Sequence, residues 1–150
     1  MEIDTGTPKK IDEIQNEIID EFSILGADKE STIFYIMELG QKLPILDESQ
    51  KVEENIIKGC QSKVWLTAEL AEDRILFQAD SNTEITKGLI SLLIRIFSGQ
   101  RVDDIMDSEL FFMDKIGMGG IIGSQRSNGL LAMIKQMKLY ALAYKSKIEQ

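Results

Sequence analysis

In the stretch Gly59-Cys60-Gln61-Ser62-Lys63-Val64-Trp65-Leu66-Thr67-Ala68-Glu69, a polar turn passes into a strand. Val64, Leu66 and Ala68 alternate with Trp65, Thr67 and Glu69, the period of two that a strand shows when one face is buried. The turn carries the chain's only cysteine, and the only tryptophan follows five positions later. Beyond a turn at Ala71-Glu72-Asp73, the run Arg74-Ile75-Leu76-Phe77-Gln78-Ala79 reads as the return strand. Ahead of the cysteine, Asn55-Ile56-Ile57 is short, apolar and β-branched, which predicts a third strand. These runs describe a small three-stranded antiparallel sheet with Cys60 in the loop that enters its long strand.

On either side the period changes to that of helices. Ile11, Ile14, Ile18, Phe22 and Leu25 recur at three and four and make one face of a helix. Gly26 ends it, as a glycine just past a helix often does. Asp28 is a candidate N-cap for a second helix, with Ile33, Ile36, Met37 and Gly40 on its inner side. Leu43-Pro44 stops that helix, because a residue before proline avoids the helical region. Ser81-Asn82-Thr83-Glu84 reads as a capping box, Ser81 and Glu84 each covering the other's amide. The helix behind it, Ile85 to Phe97, is apolar nearly all round and so belongs in the core. Short helical turns are expected at 102–106 and 110–116. The glycines of 117–123 predict a flexible connector, and residues 124–148 a last helix. The whole is an α+β arrangement, with residues 9–150 as one domain behind a disordered tail over residues 1–8.

Composition narrows the function. A chain of 150 residues with 43% hydrophobic and 28% charged content suits one soluble domain with a real core. No apolar run reaches the length of a membrane span. The acidic start, Met1-Glu2-Ile3-Asp4, predicts no secretory leader, and one cysteine cannot close an internal disulfide; both favour the cytoplasm. The net charge is −8, and residues 1–58 carry all of it, with 14 acids against 6 bases. That balance opposes nucleic-acid binding, which needs basic surface. It reads as a solvated helix face, or as a field that steers a basic partner. The glycine pattern of 117–123 only loosely resembles a phosphate loop, with no strand before it and no Gly-Lys-Ser/Thr after it.

Cys60 is the residue with chemistry to offer. As a small apolar side chain it would be buried and inert. Against that, it lies between polar turn residues, Gly59 allows a sharp bend, and Lys58 and Lys63 would favour the thiolate. The chain has no histidine, so a Cys-His nucleophile is excluded. One cysteine cannot assemble a zinc site or hold an iron–sulfur cluster alone, and a resolving thiol is missing. No metal site is expected. What remains is single-thiol chemistry: attack on a sulfur held by another protein, or oxidative sensing. A non-enzymatic interaction module with a structural cysteine is the third reading. Arg126, a cation near the start of the last helix, opposes the helix dipole. It predicts a salt bridge to a nearby carboxylate, or contact with an anion or partner.

Gly59-Cys60-Gln61-Ser62-Lys63-Val64-Trp65 resembles the active-site motif of the SufE family. Tyr35-Ile36-Met37-Glu38-Leu39-Gly40-Gln41-Lys42-Leu43-Pro44 is similar to the family's second helix. Ala79-Asp80-Ser81 with Ile85-x-Lys87-Gly88-Leu89-Ile90 resembles its strand-to-helix corner, and Ser124-x-Arg126-Ser127-Asn128-Gly129-Leu130 the entry to its last helix. The resemblance implies a SufE/IscU-like fold and a sulfurtransferase-type accessory subunit. Its partners would be a SufS-like cysteine desulfurase and a SufBCD-like iron–sulfur scaffold. Cys60 would accept persulfide sulfur, and the pyridoxal phosphate would belong to the desulfurase, leaving this chain without a cofactor. By the same resemblance Gly59, Gln61, Ser62, Lys63, Asp80, Ser81 and Arg126 surround the persulfide. A free Cys60 would sit tucked over apolar residues and swing out on docking. A homodimer is left open. The acidic tail before Lys9, the short turn at 71–73 and the glycine-rich 117–123 depart from the family pattern.

Overall fold

The structure, a computed structural model, describes residues 9–26 and 28–149. The tail expected over residues 1–8 lies outside them. Helix α1 (Ile11–Ser23) buries Ile11, Ile14, Ile18 and Phe22, the face that the spacing requires. Its end turns at Gly26, where φ is +64°, a left-handed value that glycine adopts without strain. Helix α2 (Lys29–Gln41) starts at Asp28, whose carboxylate accepts the Ser31 amide at 2.9 Å. Its buried residues are Thr32, Ile36 and Gly40.

Two 3₁₀ turns follow (Glu48–Gln50 and Glu53–Asn55), then strands β1 (Val64–Ala71) and β2 (Arg74–Ser81). The hairpin pairs Val64 with Ser81 through Ala71 with Arg74. Glu72 closes its two-residue turn at φ 60°. Val64, Leu66, Ile75, Phe77 and Ala79 point into the core. The sheet has three strands, yet the third is not the expected one. It is β3 (Gln100–Arg101), paired with Arg74 and Ile75 on the far side of β2. At Asn55-Ile56-Ile57 only Ile56 bridges Trp65, because residues 53–55 coil into the 3₁₀ turn. The β-branched residues there serve burial instead, with Ile57 enclosed in the core.

Helix α3 (Glu84–Phe97) is the centre of the molecule, with Leu89, Ile90, Leu92, Leu93, Ile96 and Phe97 buried. It presses on α2 through glycine: a Cβ at Gly88 would lie 1.9 Å from the Ile36 carbonyl oxygen, and one at Gly40 would lie 2.7 Å from the Gly88 nitrogen. The predicted capping box does not form. The N-cap is Thr83, and the Ser81 hydroxyl donates to the Lys63 carbonyl at 2.9 Å instead. Strand β2 continues through Ser81, so that hydroxyl is committed to the neighbouring chain before the helix begins.

Helices α4 (Val102–Asp107) and α5 (Phe112–Ile116) fall where expected. Buried Gln15 ties α1 to the link between them: its side chain donates to the Glu109 carbonyl at 3.1 Å and accepts the Phe111 amide at 2.7 Å. Helix α6 (Met118–Ile148) absorbs most of the expected connector. Met118 and Ile122 are buried, and that apolar spacing holds residues 118–122 helical despite their glycines. The break is confined to Gly123, at φ 86° and ψ 169°, a conformation open essentially to glycine alone. No helix of the described residues is long and apolar enough to cross a membrane.

Candidate functional site

Cys60 sits where the sheet, α3 and α6 meet. Gly59, at φ +97°, turns the chain sharply, and a Cβ there would stand 3.1 Å from that of Ala132 on α6. A glycine is therefore required both for the bend and for the close approach. The thiol comes to rest over Gly129 of α6, donating to its carbonyl oxygen at 3.5 Å. It is half-buried and packs against the edge of the core. Burial pushes the Cys60 thiol pKa up. The sequence predicts that Lys58 and Lys63 lower it, but both are exposed, and neither has an effect that offsets desolvation. The resting thiol is held neutral, because a thiolate loses solvation in such a place.

Above the sulfur opens a cleft of about 280 Å³. Met37, Ile85, Leu89 and Met133 give it an apolar side, and Gln61, Ser62, Thr83, Thr86, Gln125 and Arg126 a polar one. Gln61, Ser62 and Arg126 thus meet Cys60 there. The expected Arg126 salt bridge is not made among the described residues. Its guanidinium reaches only the Ile122 carbonyl, at 3.5 Å, and the side chain is otherwise exposed.

Lys63, Ser81 and Asp80 do not line the cleft. Lys63 joins the cysteine loop to the β2–α3 corner through its backbone. Its amide donates to the Asn82 side-chain oxygen at 3.0 Å, and its carbonyl accepts the Ser81 hydroxyl and the Asn82 amide. Asp80 is buried beneath that corner and pairs with Lys51 at 3.0 Å and Lys87 at 3.3 Å. Burial alone would raise its carboxyl pKa, but Lys51, the Ser81 amide and Lys87 outweigh this and hold it below the usual carboxylate range. Lys51 also stands 5.6 Å from the centre of the Trp65 ring. Asp80 supports the site from below by strapping the segment before Cys60 onto the sheet.

Sequence reasoning did not single out Thr83, Thr86, Gln125 or Ala132, and gave Gly129 no task. Gly129 was visible inside the Arg126-Ser127-Asn128-Gly129-Leu130 run. A glycine in mid-helix disfavours that helix, so it signals a close neighbour. The threonines carried no signal at all, since threonine early in a helix is ordinary.

The sequence matches the SufE family, whose domain is described as Fe-S metabolism associated, over residues 16–141. An uncharacterized SufE-like protein of Rhizobium meliloti (strain 1021) is 38% identical over 128 residues, which cover 82% of this chain and 91% of that one. The chloroplastic/mitochondrial SufE-like protein 1 of Arabidopsis thaliana is 37% identical over 125 residues, 83% of this chain but 33% of that protein. A hypothetical protein from Thermus thermophilus, known from its solution structure, superposes with a TM-score of 0.72 at 16% identity. The match covers 89% of this chain and 96% of that one, and at such an identity the likeness speaks to the α+β fold alone. The sequence matches imply a role in Fe–S metabolism.

Proposed function

The chain belongs to the SufE family, and from that premise we propose that it accepts sulfur from a cysteine desulfurase on Cys60, stimulates that enzyme, and passes the sulfur to an iron–sulfur scaffold. The observation that carries this reading is a single thiol seated beside an open cleft, in a chain with no histidine and no second cysteine. Attack of a thiolate on a sulfur–sulfur bond needs neither, only ionisation and access. In the transfer, the Cys60 thiolate forms a bond to the terminal sulfur of the desulfurase persulfide. The sulfur–sulfur bond of that persulfide breaks, and its electron pair leaves on the desulfurase cysteine. Charge and electrons balance with no outside oxidant or reductant. The chain itself needs no cofactor for this step; the pyridoxal phosphate is the desulfurase's.

Each part of the site then has a task. The apolar side of the cleft gives the added sulfur a place away from water and reductants. The free guanidinium of Arg126 at the mouth attracts the anionic persulfide that the donor presents. The raised thiol pKa keeps the resting cysteine unreactive until docking draws it out. A peroxide sensor would need the opposite, an exposed thiolate of low pKa. A carrier of this kind would work in a reducing compartment such as the cytoplasm.

The test is a desulfurase assay with cysteine as substrate. Wild-type protein should raise sulfide release, and Cys60→Ser should fold normally and abolish the increase. Equal release with and without the wild-type protein would overturn the proposal.

A further inference from the structure

The cysteine loop is lightly held. Among the described residues, the backbone of residues 58–62 makes no hydrogen bond of good geometry, and a loose turn at Lys58-Gly59 is its one regular feature. The chain is anchored again at Lys63, whose amide and carbonyl are both bonded to the β2–α3 corner. Between these points only two side-chain hydrogen-bonding sites restrain the loop. One is the long thiol contact to the Gly129 carbonyl, at 3.5 Å. The other is the Ser62 hydroxyl, which accepts from Thr86 at 3.2 Å and shares a hydrogen bond with Thr83 at 2.8 Å.

These hydroxyls answer one another, so they offer little to a ligand in the cleft. Their effect is to join a loosely held loop to the rigid helix α3. Thr83 is exposed at the N-cap, whereas Thr86 is buried in the first turn of the helix. Thr86 is therefore the firm end of the chain of hydroxyls.

Resting on the sulfur-acceptor reading, we infer that Thr86 is a positioning residue, a latch that acts through Ser62 to hold the Cys60 loop closed until a sulfur donor docks. Gly59 is the pivot and Lys63 the fixed base. Opening breaks the Thr86–Ser62 bond and carries Cys60 away from Gly129. No covalent step is involved.

The test uses the full chain and iodoacetamide, which modifies Cys60 without any desulfurase. Alkylation is followed across pH 7 to 10 for wild type, Thr86→Val, Thr86→Ser and Ser62→Ala. Thr86→Val should speed the reaction about fivefold at every pH below the thiol pKa, as expected for loss of one hydrogen bond. Thr86→Ser, which keeps the hydroxyl, should react like wild type, and Ser62→Ala at least as fast as Thr86→Val. Urea midpoints separate loop opening from general loosening. Should Thr86→Val fail to fold, Ser62→Ala and Thr83→Val decide together: Ser62→Ala should react faster, and Thr83→Val, which spares the Thr86 bond, near the wild-type rate. A wild-type rate for Thr86→Val, whatever the rate of Ser62→Ala, or a Thr86→Ser rate equal to that of Thr86→Val, would overturn the latch. Because no donor protein is present, failure here leaves sulfur acceptance standing, whereas failure of the desulfurase assay would remove the donor's part in opening but not the restraint that alkylation measures.

Discussion

The sulfur of Cys60 rests against Gly129, 3.5 Å from its carbonyl oxygen, and a methyl group at position 129 would stand 3.5 Å from the same sulfur. That is ordinary contact, so Gly129→Ala should be accepted. It should also stabilise the protein by roughly 0.5–1 kcal/mol, the usual gain of alanine over glycine in a helix interior. Gly129→Leu cannot share the space, and should expel the thiol and speed its alkylation while the circular dichroism stays native. Alkylation of Gly129→Leu at the wild-type rate would show that the seat is not where the sulfur rests.

Gly88 is the tightest point of the fold. Its Cβ would overlap the Ile36 carbonyl oxygen at 1.9 Å, and backbone on both sides leaves nothing to move aside. Gly88→Ala should cost about 3 kcal/mol, the upper part of the range for overpacking. Urea denaturation of the purified variant measures it, and a loss under about 1 kcal/mol would contradict the α2–α3 packing.

Asp80 predicts how the protein responds to acid. Its carboxyl pKa lies below the ordinary aspartate value of 3.8 in the folded chain. The unfolded chain therefore takes up the proton first as pH falls. The stability Asp80 contributes is complete above the ordinary value and is lost as pH drops through the folded one. Asp80→Asn should lower the urea midpoint at pH 7 and flatten its decline between pH 5 and 3. An equally steep decline would assign the acid sensitivity elsewhere.

The hairpin, the α1 face and the core helix α3 were legible because each rests on a local period that burial enforces. The errors share a cause in tertiary contact. Strand β3 is two residues long and pairs only because α3 returns Gln100 to β2, which no local pattern records. Ser81 would cap a helix in isolation, but the Lys63 carbonyl claims its hydroxyl first. The glycines of 117–123 suggested a loop, and buried Met118 and Ile122 hold them in a helix broken only at Gly123. At the site, the motif brought Cys60, Ser62 and Arg126 to notice. The direction of the thiol pKa was misjudged because two lysines adjacent in sequence point to solvent while the sulfur points inward.

Arg126 makes one long contact to a carbonyl and no ion pair among the described residues, so the fold does not depend on its charge. Arg126→Ala should leave the urea midpoint unchanged. It should slow sulfur acceptance about tenfold, the worth of one charged hydrogen bond to an anion. Arg126→Lys should recover part of that loss. Unchanged acceptance by Arg126→Ala would remove the residue from the reaction.

On the proposed function, Cys60 carries sulfur that another enzyme has activated. The most direct test is the intact mass of the protein after incubation with a cysteine desulfurase, pyridoxal phosphate and cysteine. The expected product is a species heavier by one sulfur atom, mapped to Cys60, discharged by a thiol reductant and absent from Cys60→Ser. A wild-type chain that stays at its original mass while the desulfurase turns over would contradict the proposed function.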